Sequence, residues 1–242
     1  MTTGAETLLI VLPTYNERLN LERVAEGVLR HPWARLLVVD DASPDGTGQL
    51  ADALAARWPG RIDVLHRAGP RGLGLAYVDG LRQALATGAG AIGQMDADLS
   101  HDPAYLPALY QALGTYDVVI GSRYLHGVSV VNWPLHRIAL SAFANRYIRA
   151  ITGLEARDCT SGFRLWRRAA LAAIRLDRLH ANGYAFLTEM LFEASAAGCR
   201  IGEVPIVFVE RQEGYSKVSG SVLAESLLMP WRLAVRRLGR RR

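Results

Sequence analysis

The chain has 242 residues, half of them hydrophobic and 21% charged, enough for one compact domain with a substantial core. Its formal net charge is +5, and six arginines near the end (Arg232, Arg236, Arg237, Arg240, Arg241 and Arg242) exceed that surplus, which leaves the remainder near neutral. The two cysteines, Cys159 and Cys199, are too few for a disulfide framework or a thiolate zinc site, so a reducing compartment is expected.

The N-terminus, MTTGAETLLIVLP, lacks the basic region and small-residue cleavage site of a signal peptide. No window reaches the roughly 18 uninterrupted apolar residues of a membrane span. The nearest, Val222 to Val235, contains Glu225, Pro230 and Arg232. The expectation is a soluble protein, peripheral to a membrane at most.

Leu8–Leu12 (LLIVL) is a short continuous apolar run and predicts a buried strand. Asn16–Arg30 has helical spacing, with Leu19, Val24 and Val28 apolar between charges. Leu36–Val39 predicts a second strand, Gly46–Trp58 a helix, Ile62–Leu65 a third strand and Gly74–Ala86 a helix. Ala91–Met95 is the fourth strand, Pro103–Leu113 a helix and Val118–Gly121 the fifth strand. Short strands alternating with helices imply a mostly parallel α/β sheet with helices on both faces.

The second half is less regular. Pro134–Ile151 predicts a helix whose apolar side holds Leu135, Ile138, Phe143, Tyr147 and Ile148. Ser161–Trp166 reads as a strand and Tyr184–Ala197 as a helix. Ile201–Arg211 reads as a strand interrupted by Pro205, at an edge or a bulge. The loop QEGYSKVSG then leads into a last helix. A single catalytic domain over 1–220 and a basic amphipathic tail over 221–242 are expected.

In such sheets ligands collect at the carboxyl ends of the strands. Asp40 and Asp41 lie where the second strand ends, Asp96 and Asp98 where the fourth does, so four acids are expected on one edge. Clustered carboxylates repel one another unless a cation sits among them. Oxygen-only ligands on a short turn suit Mg2+ or Mn2+. Such an ion takes one or two protein carboxylates and completes its shell with substrate phosphates. Asp102, just before Pro103, reads instead as a helix cap. The stretch Arg71-Gly72-Leu73-Gly74 is not a dinucleotide fingerprint, because Tyr77 stands where the third glycine belongs.

Seven motifs follow in order: PTYNE (13–17), VDDASPDGT (39–47), MDADLSHDP (95–103), GSRY (121–124), SGFR (161–164), GYAF (183–186) and RQEGYSK (211–217). Together they resemble the dolichol-phosphate mannosyltransferase (polyprenol monophosphomannose synthase) branch of the inverting family 2 glycosyltransferases. The likeness spans about residues 6 to 220. It implies a GT-A fold, a divalent metal, GDP-mannose as donor and a polyprenyl (dolichyl) phosphate as acceptor. Glucose from UDP-glucose on the same lipid, or a non-catalytic nucleotide-sugar-binding subunit, are the alternatives.

By that resemblance, Pro13, Tyr15, Glu17, Val39 and Asp41 line the nucleobase and ribose pocket. Asp96, Ala97 and Asp98 hold ribose, metal and diphosphate, with Asp96 and Asp98 as metal ligands and Asp98 and Arg123 as catalytic residues. Arg211 and Lys217 close over the diphosphate. Arg137 and Ser141 lie one helical turn apart and, with Arg123, suit the phosphate of the acceptor. A phosphate monoester has a second pKa of about 6, so it needs no general base, and His101 and His136 read as structural. Leu227, Leu228, Trp231, Val235 and Leu238 can gather on one side of the last helix among its arginines, which predicts peripheral association with the cytoplasmic face of a membrane. No nucleic-acid recognition motif accompanies the basic tail.

Overall fold

The structure, a computed structural model, describes residues 7–179, 184–210 and 220–240. In chain order the elements are β1 (Leu8–Thr14), α1 (Arg18–Leu29), β2 (Ala34–Asp40), α2 (Thr47–Arg57), β3 (Ile62–His66), α3 (Leu73–Ala86) and β4 (Ala91–Gln94). A 3-10 turn at Pro103–Tyr105 leads into α4 (Leu106–Ala112), followed by β5 (Val118–Ser122), β6 (Val130–Val131), α5 (Leu135–Thr152), β7 (Arg164–Arg167) and α6 (Arg168–Ala172). The chain continues with α7 (Tyr184–Ala196), β8 (Ile201–Pro205), β9 (Phe208–Val209) and α8 (Gly220–Arg240).

The sheet runs β3-β2-β1-β4-β7-β5-β8, and β6 and β9 form a separate ribbon. β1 pairs in parallel with β2 and β4, β2 with β3, and β5 with β8. β7 is antiparallel to both neighbours, β4 and β5. The apolar runs become strands because both faces are covered. Leu9, Val11, Leu37 and Val39 enter one core, while Leu8, Ile10, Leu12, Leu36 and Val38 enter the other. α3 lies close on the sheet: a Cβ at Gly80 would fall 2.5 Å from Val11 and 2.7 Å from Val39.

Several expectations change. In α1 the buried face is Asn20, Leu21, Val24, Ala25 and Val28, whereas Leu19 is exposed. The stretch from Ile201 is two strands. Pro205 ends β8 at the sheet edge, and Phe208 starts β9 in the ribbon. Lacking an N–H, proline suits the end of an edge strand. In α5, Ile148 is buried but Leu135 and Phe143 are exposed. α8 packs on α5 and α7 through Met229 and Leu233, with Arg236 bonded to Glu189 at 2.7 Å and Arg237 to the carbonyl of Thr152 at 2.9 Å. Its Leu227, Leu228, Trp231 and Val235 stay exposed; the side chain of Leu238 lies outside the described residues. Among the described residues no helix is long and apolar enough to cross a membrane.

Candidate active site

The first part of the site forms where β1 and β2 stop. The N–H of Asp41 donates to the carbonyl of Thr14 at 3.0 Å, which joins the two strand ends. Successive side chains alternate across a sheet, so Asp40 and Asp41 part company. Asp40 is buried against the first turn of α2, where a Cβ on Gly48 would lie 2.9 Å from its Oδ2. It accepts the N–H of Ser43 at 3.3 Å. Asp40 thus stands at the same edge as the other three acids, with its carboxylate engaged by α2 and the turn before it.

Asp41 is buried and held on both oxygens. Oδ1 takes the guanidinium of Arg67, and Oδ2 takes the N–H of Gly72 at 2.8 Å. Arg67, itself buried, also donates to Asp79 at 2.7 Å and to the carbonyl of Pro70 at 3.2 Å. This network pins the loop before α3 against the end of β2. Arg71 from that loop lies over Tyr15, 5.0 Å from its ring centroid, and bonds its hydroxyl. Pro13 and Val39 are buried beside it, and Glu17 accepts from Asn20 at 2.9 Å. Thus Pro13, Tyr15, Glu17, Val39 and Asp41 do share one end of the sheet.

The acidic turn follows β4. Leu99 adopts a positive φ of 63° and so bends the chain sharply after Asp98. Asp98 is buried and accepts the N–H of Ser100 at 3.1 Å and its hydroxyl at 2.5 Å. The carboxylate of Asp96 is one-third exposed, at 33%, and accepts from the Tyr77 hydroxyl at 3.2 Å. Burial, and then the charge of Asp96, push the Tyr77 phenol well above its ordinary pKa, so it stays a donor. Ala97 is buried between the two acids. Gly162 faces Asp96: a Cβ there would sit 3.1 Å from Oδ1 and 3.2 Å from Oδ2.

His101 is buried behind this turn. Its Nδ1 accepts the N–H of Asp96 at 3.1 Å, which fixes the tautomer with the proton on Nε2. Burial lowers its pKa against the opposing pull of Asp96 and Asp98, and the ring stays neutral. It holds the acidic turn through that bond. Among the described residues no group of three or more His, Cys, Asp or Glu side chains gathers to hold a metal. Two carboxylates with the nearby Ser100 hydroxyl fit a hard ion that completes its shell with phosphate oxygens.

The third part lies beyond β5. Arg123 is buried and gripped by Asp158: its backbone N–H donates at 3.0 Å, Nε at 2.7 Å and Nη2 at 2.7 Å. Burial alone would raise the Asp158 pKa, but the charge and hydrogen bonds of Arg123 outweigh it and hold the carboxyl below its ordinary range. Arg123 and Arg137 lie over the same Trp133 ring, 5.6 Å and 4.1 Å from its centroid. Arg137 also pairs with Glu210. Ser141 accepts from the Tyr124 hydroxyl at 2.7 Å, and Arg123 lies 5.5 Å from the Tyr124 ring. The structure therefore brings Arg123, Arg137 and Ser141 together around Trp133 and Tyr124.

An aromatic bridge joins this group to the acidic turn. Phe208 is 5.5 Å from His101 and 5.4 Å from Trp133. Arg211 and Lys217 lie outside the described residues. Sequence reasoning missed Arg67, Asp158 and Glu210. Asp158 stands three residues before the SGFR motif and Glu210 immediately before RQEGYSK, but nothing local in the sequence says which cation each carboxylate meets.

The model of glycosyl transferase family 2 matches residues 9–175. Undecaprenyl-phosphate mannosyltransferase from Micrococcus luteus is 45% identical over 235 residues, 95% of this chain and 95% of that one. Polyprenol monophosphomannose synthase from Mycolicibacterium smegmatis is 44% identical over 222 residues, 90% of this chain and 83% of that one. Among solved structures, glucosyl-3-phosphoglycerate synthase from Mycobacterium tuberculosis in complex with Mn2+ and UDP-glucose superposes with a TM-score of 0.66. Its identity is 19%, and the match covers 98% of this chain and 80% of that one. That likeness is one of fold. The expected GT-A architecture is thereby borne out, with a mostly parallel central sheet and helices around it. On a match spanning more than half its length and two relatives near 45% identity, the chain belongs to glycosyl transferase family 2.

Proposed function

We propose that the enzyme transfers a mannosyl group from GDP-mannose to a polyprenyl phosphate, with inversion, and releases GDP. The observation that carries this reading is the pairing of two sites on one edge. An oxygen-only acidic turn (Asp96, Asp98) suits a diphosphate with its metal, and a pair of guanidiniums on Trp133 suits a second anion. The names and high identity of the two relatives support the same substrates.

Tyr15, Glu17 and Asp41 receive the base and ribose, with Pro13, Val39 and Ala97 as the apolar walls. Arg67 keeps the Asp41 carboxylate in position. Asp96 and Asp98 hold Mg2+ or Mn2+. The ion, when bound, supplies neutralisation of the charge that develops on the leaving diphosphate. Arg211 and Lys217 close over that diphosphate. Arg137, Ser141 and Arg123 orient the acceptor phosphate, whose ionised oxygen attacks the sugar C1 without a base.

Residues 1–220 form the catalytic unit in this reading, and 221–242 set it against the lipid that carries the acceptor. Leu227, Leu228 and Trp231 of α8 and Phe143 of α5 are exposed on neighbouring helices. The Tyr147 hydroxyl ties them, donating to the carbonyl of Leu227 at 2.8 Å and accepting from Trp231 at 2.9 Å. Arg146, Arg149, Arg232 and Arg237 are exposed on the same two helices, a charge pattern complementary to an anionic leaflet on the cytoplasmic side.

The test is transfer of label from GDP-mannose or UDP-glucose into polyprenyl phosphate in the presence of Mg2+ or Mn2+. Label from GDP-mannose is expected in the lipid, Asp98→Ala is expected to abolish it, and EDTA is expected to do the same. Transfer from UDP-glucose alone, or full turnover in EDTA, overturns the reading.

A further inference from the structure

Arg123 and Arg137 share one aromatic ring but have partners of different kinds. The partner of Arg123, Asp158, is fully buried and engaged through both oxygens. The partner of Arg137 is Glu210, and the two side chains are 35% and 31% exposed. The first pair is sealed from water, and the second is within its reach.

Glu210 is set there by the backbone. Its N–H donates to the carbonyl of Val131 at 3.1 Å, continuing the pairing of β6 with β9. Trp133 stands two residues beyond Val131 and meets Phe208, two residues before Glu210, edge-on at 5.4 Å. One ribbon therefore supplies both the ring on which Arg137 lies and the carboxylate that neutralises it.

We infer that Glu210 sets acceptor affinity by occupying Arg137 until an anionic headgroup takes its place. The inference rests on the reading that Arg137 binds the acceptor phosphate. A phosphate dianion offers more charge and more acceptor oxygens than the carboxylate it displaces. A neutral isoprenol offers neither, so it leaves the pair in place and its binding does not depend on Glu210. Because a part-exposed pair is weak, a phosphate can displace Glu210; because the pair is not zero, that displacement costs the phosphate part of its affinity.

The experiment is calorimetric titration of the full chain with farnesyl phosphate, and with farnesol as the neutral control. Glu210→Gln is expected to bind farnesyl phosphate roughly two- to fivefold tighter than wild type, the range of a part-exposed ion pair. Glu210→Asp, which keeps the charge, is expected to stay near wild type, and farnesol is expected not to distinguish the variants. Arg137→Gln is expected to weaken farnesyl phosphate, and adding Glu210→Gln to it is expected to bring no tightening. If Arg137→Gln weakens binding but Glu210→Gln does not tighten it, the role of Glu210 is refuted while that of Arg137 stands. If Arg137→Gln leaves affinity unchanged, the phosphate site itself is misplaced and the inference falls with it. Equal tightening of farnesol also overturns it.

Discussion

Removing the charge of Asp158 tests the buried pair that holds Arg123. Asp158 is fully buried and receives three hydrogen bonds of 2.7 to 3.0 Å from one arginine, itself 6% exposed. Asp158→Ala leaves a guanidinium in the interior with its anion gone. Breaking such a pair from one side costs about 3–5 kcal/mol. With a urea m-value of about 3 kcal/mol/M, the unfolding midpoint is expected to fall by more than about 1 M. Asp158→Asn keeps an acceptor oxygen and the shape, so its loss is expected to be smaller. The pH dependence carries the sign. The folded-state pKa of Asp158 is depressed, so its stabilisation is present above the unfolded carboxyl pKa of about 3.9 and fades as pH falls through the lower folded value. Urea midpoints of wild type and Asp158→Asn are expected to differ at pH 7 and to converge below about pH 4. A midpoint for Asp158→Ala within about 0.3 M of wild type, or a gap to Asp158→Asn that ignores pH, would refute the sealed pair.

Two further outcomes follow from the geometry. Gly162→Ala places a methyl 3.1 Å from one Asp96 oxygen and 3.3 Å from His101, so the carboxylate must give way. The Mn2+ concentration for half-maximal transfer is expected to rise roughly tenfold, read from a metal titration of activity; an unchanged midpoint would remove Asp96 from the ligand set. Leu228→Glu puts a charge on the exposed side of α8, and sedimentation with anionic vesicles is expected to drop several-fold. The melting temperature is expected to stay the same, since exposed substitutions stay within about 0.5 kcal/mol. Undiminished sedimentation would take α8 off the membrane surface.

Much of this architecture is legible in the sequence. LLIVL and LLVV become strands as read, because a strand covered on both faces writes itself as an unbroken apolar run. The place of the acidic turn is legible because Asp96 and Asp98 follow directly on the apolar run of β4. The direction of β7 is not, since residue pattern has the same period in parallel and antiparallel pairing. The fates of Asp40 and Asp41 separate by a rotation about the chain that no composition records. α5 misleads for a physical reason: Leu135 and Phe143 carry the apolar side of a helix, yet the structure leaves them exposed. An apolar face left exposed looks, in sequence, like a face packed inside. Asp158, Arg67 and Glu210 escape because their meaning lies in partners 26 to 73 residues away.

The antiparallel strand has one more consequence. β7 is the wedge between the β4 and β5 halves of the sheet, and it is made only after α5. While the polypeptide is still growing on the ribosome, β1 to β3 have all their mates once β4 is made, but β4 lacks its second neighbour and β5 has nowhere to attach until residues 164–167 emerge. The acidic turn and the arginine cluster sit on opposite sides of that gap. The two sides are joined in one sheet only when residues 164–167 pair with both β4 and β5.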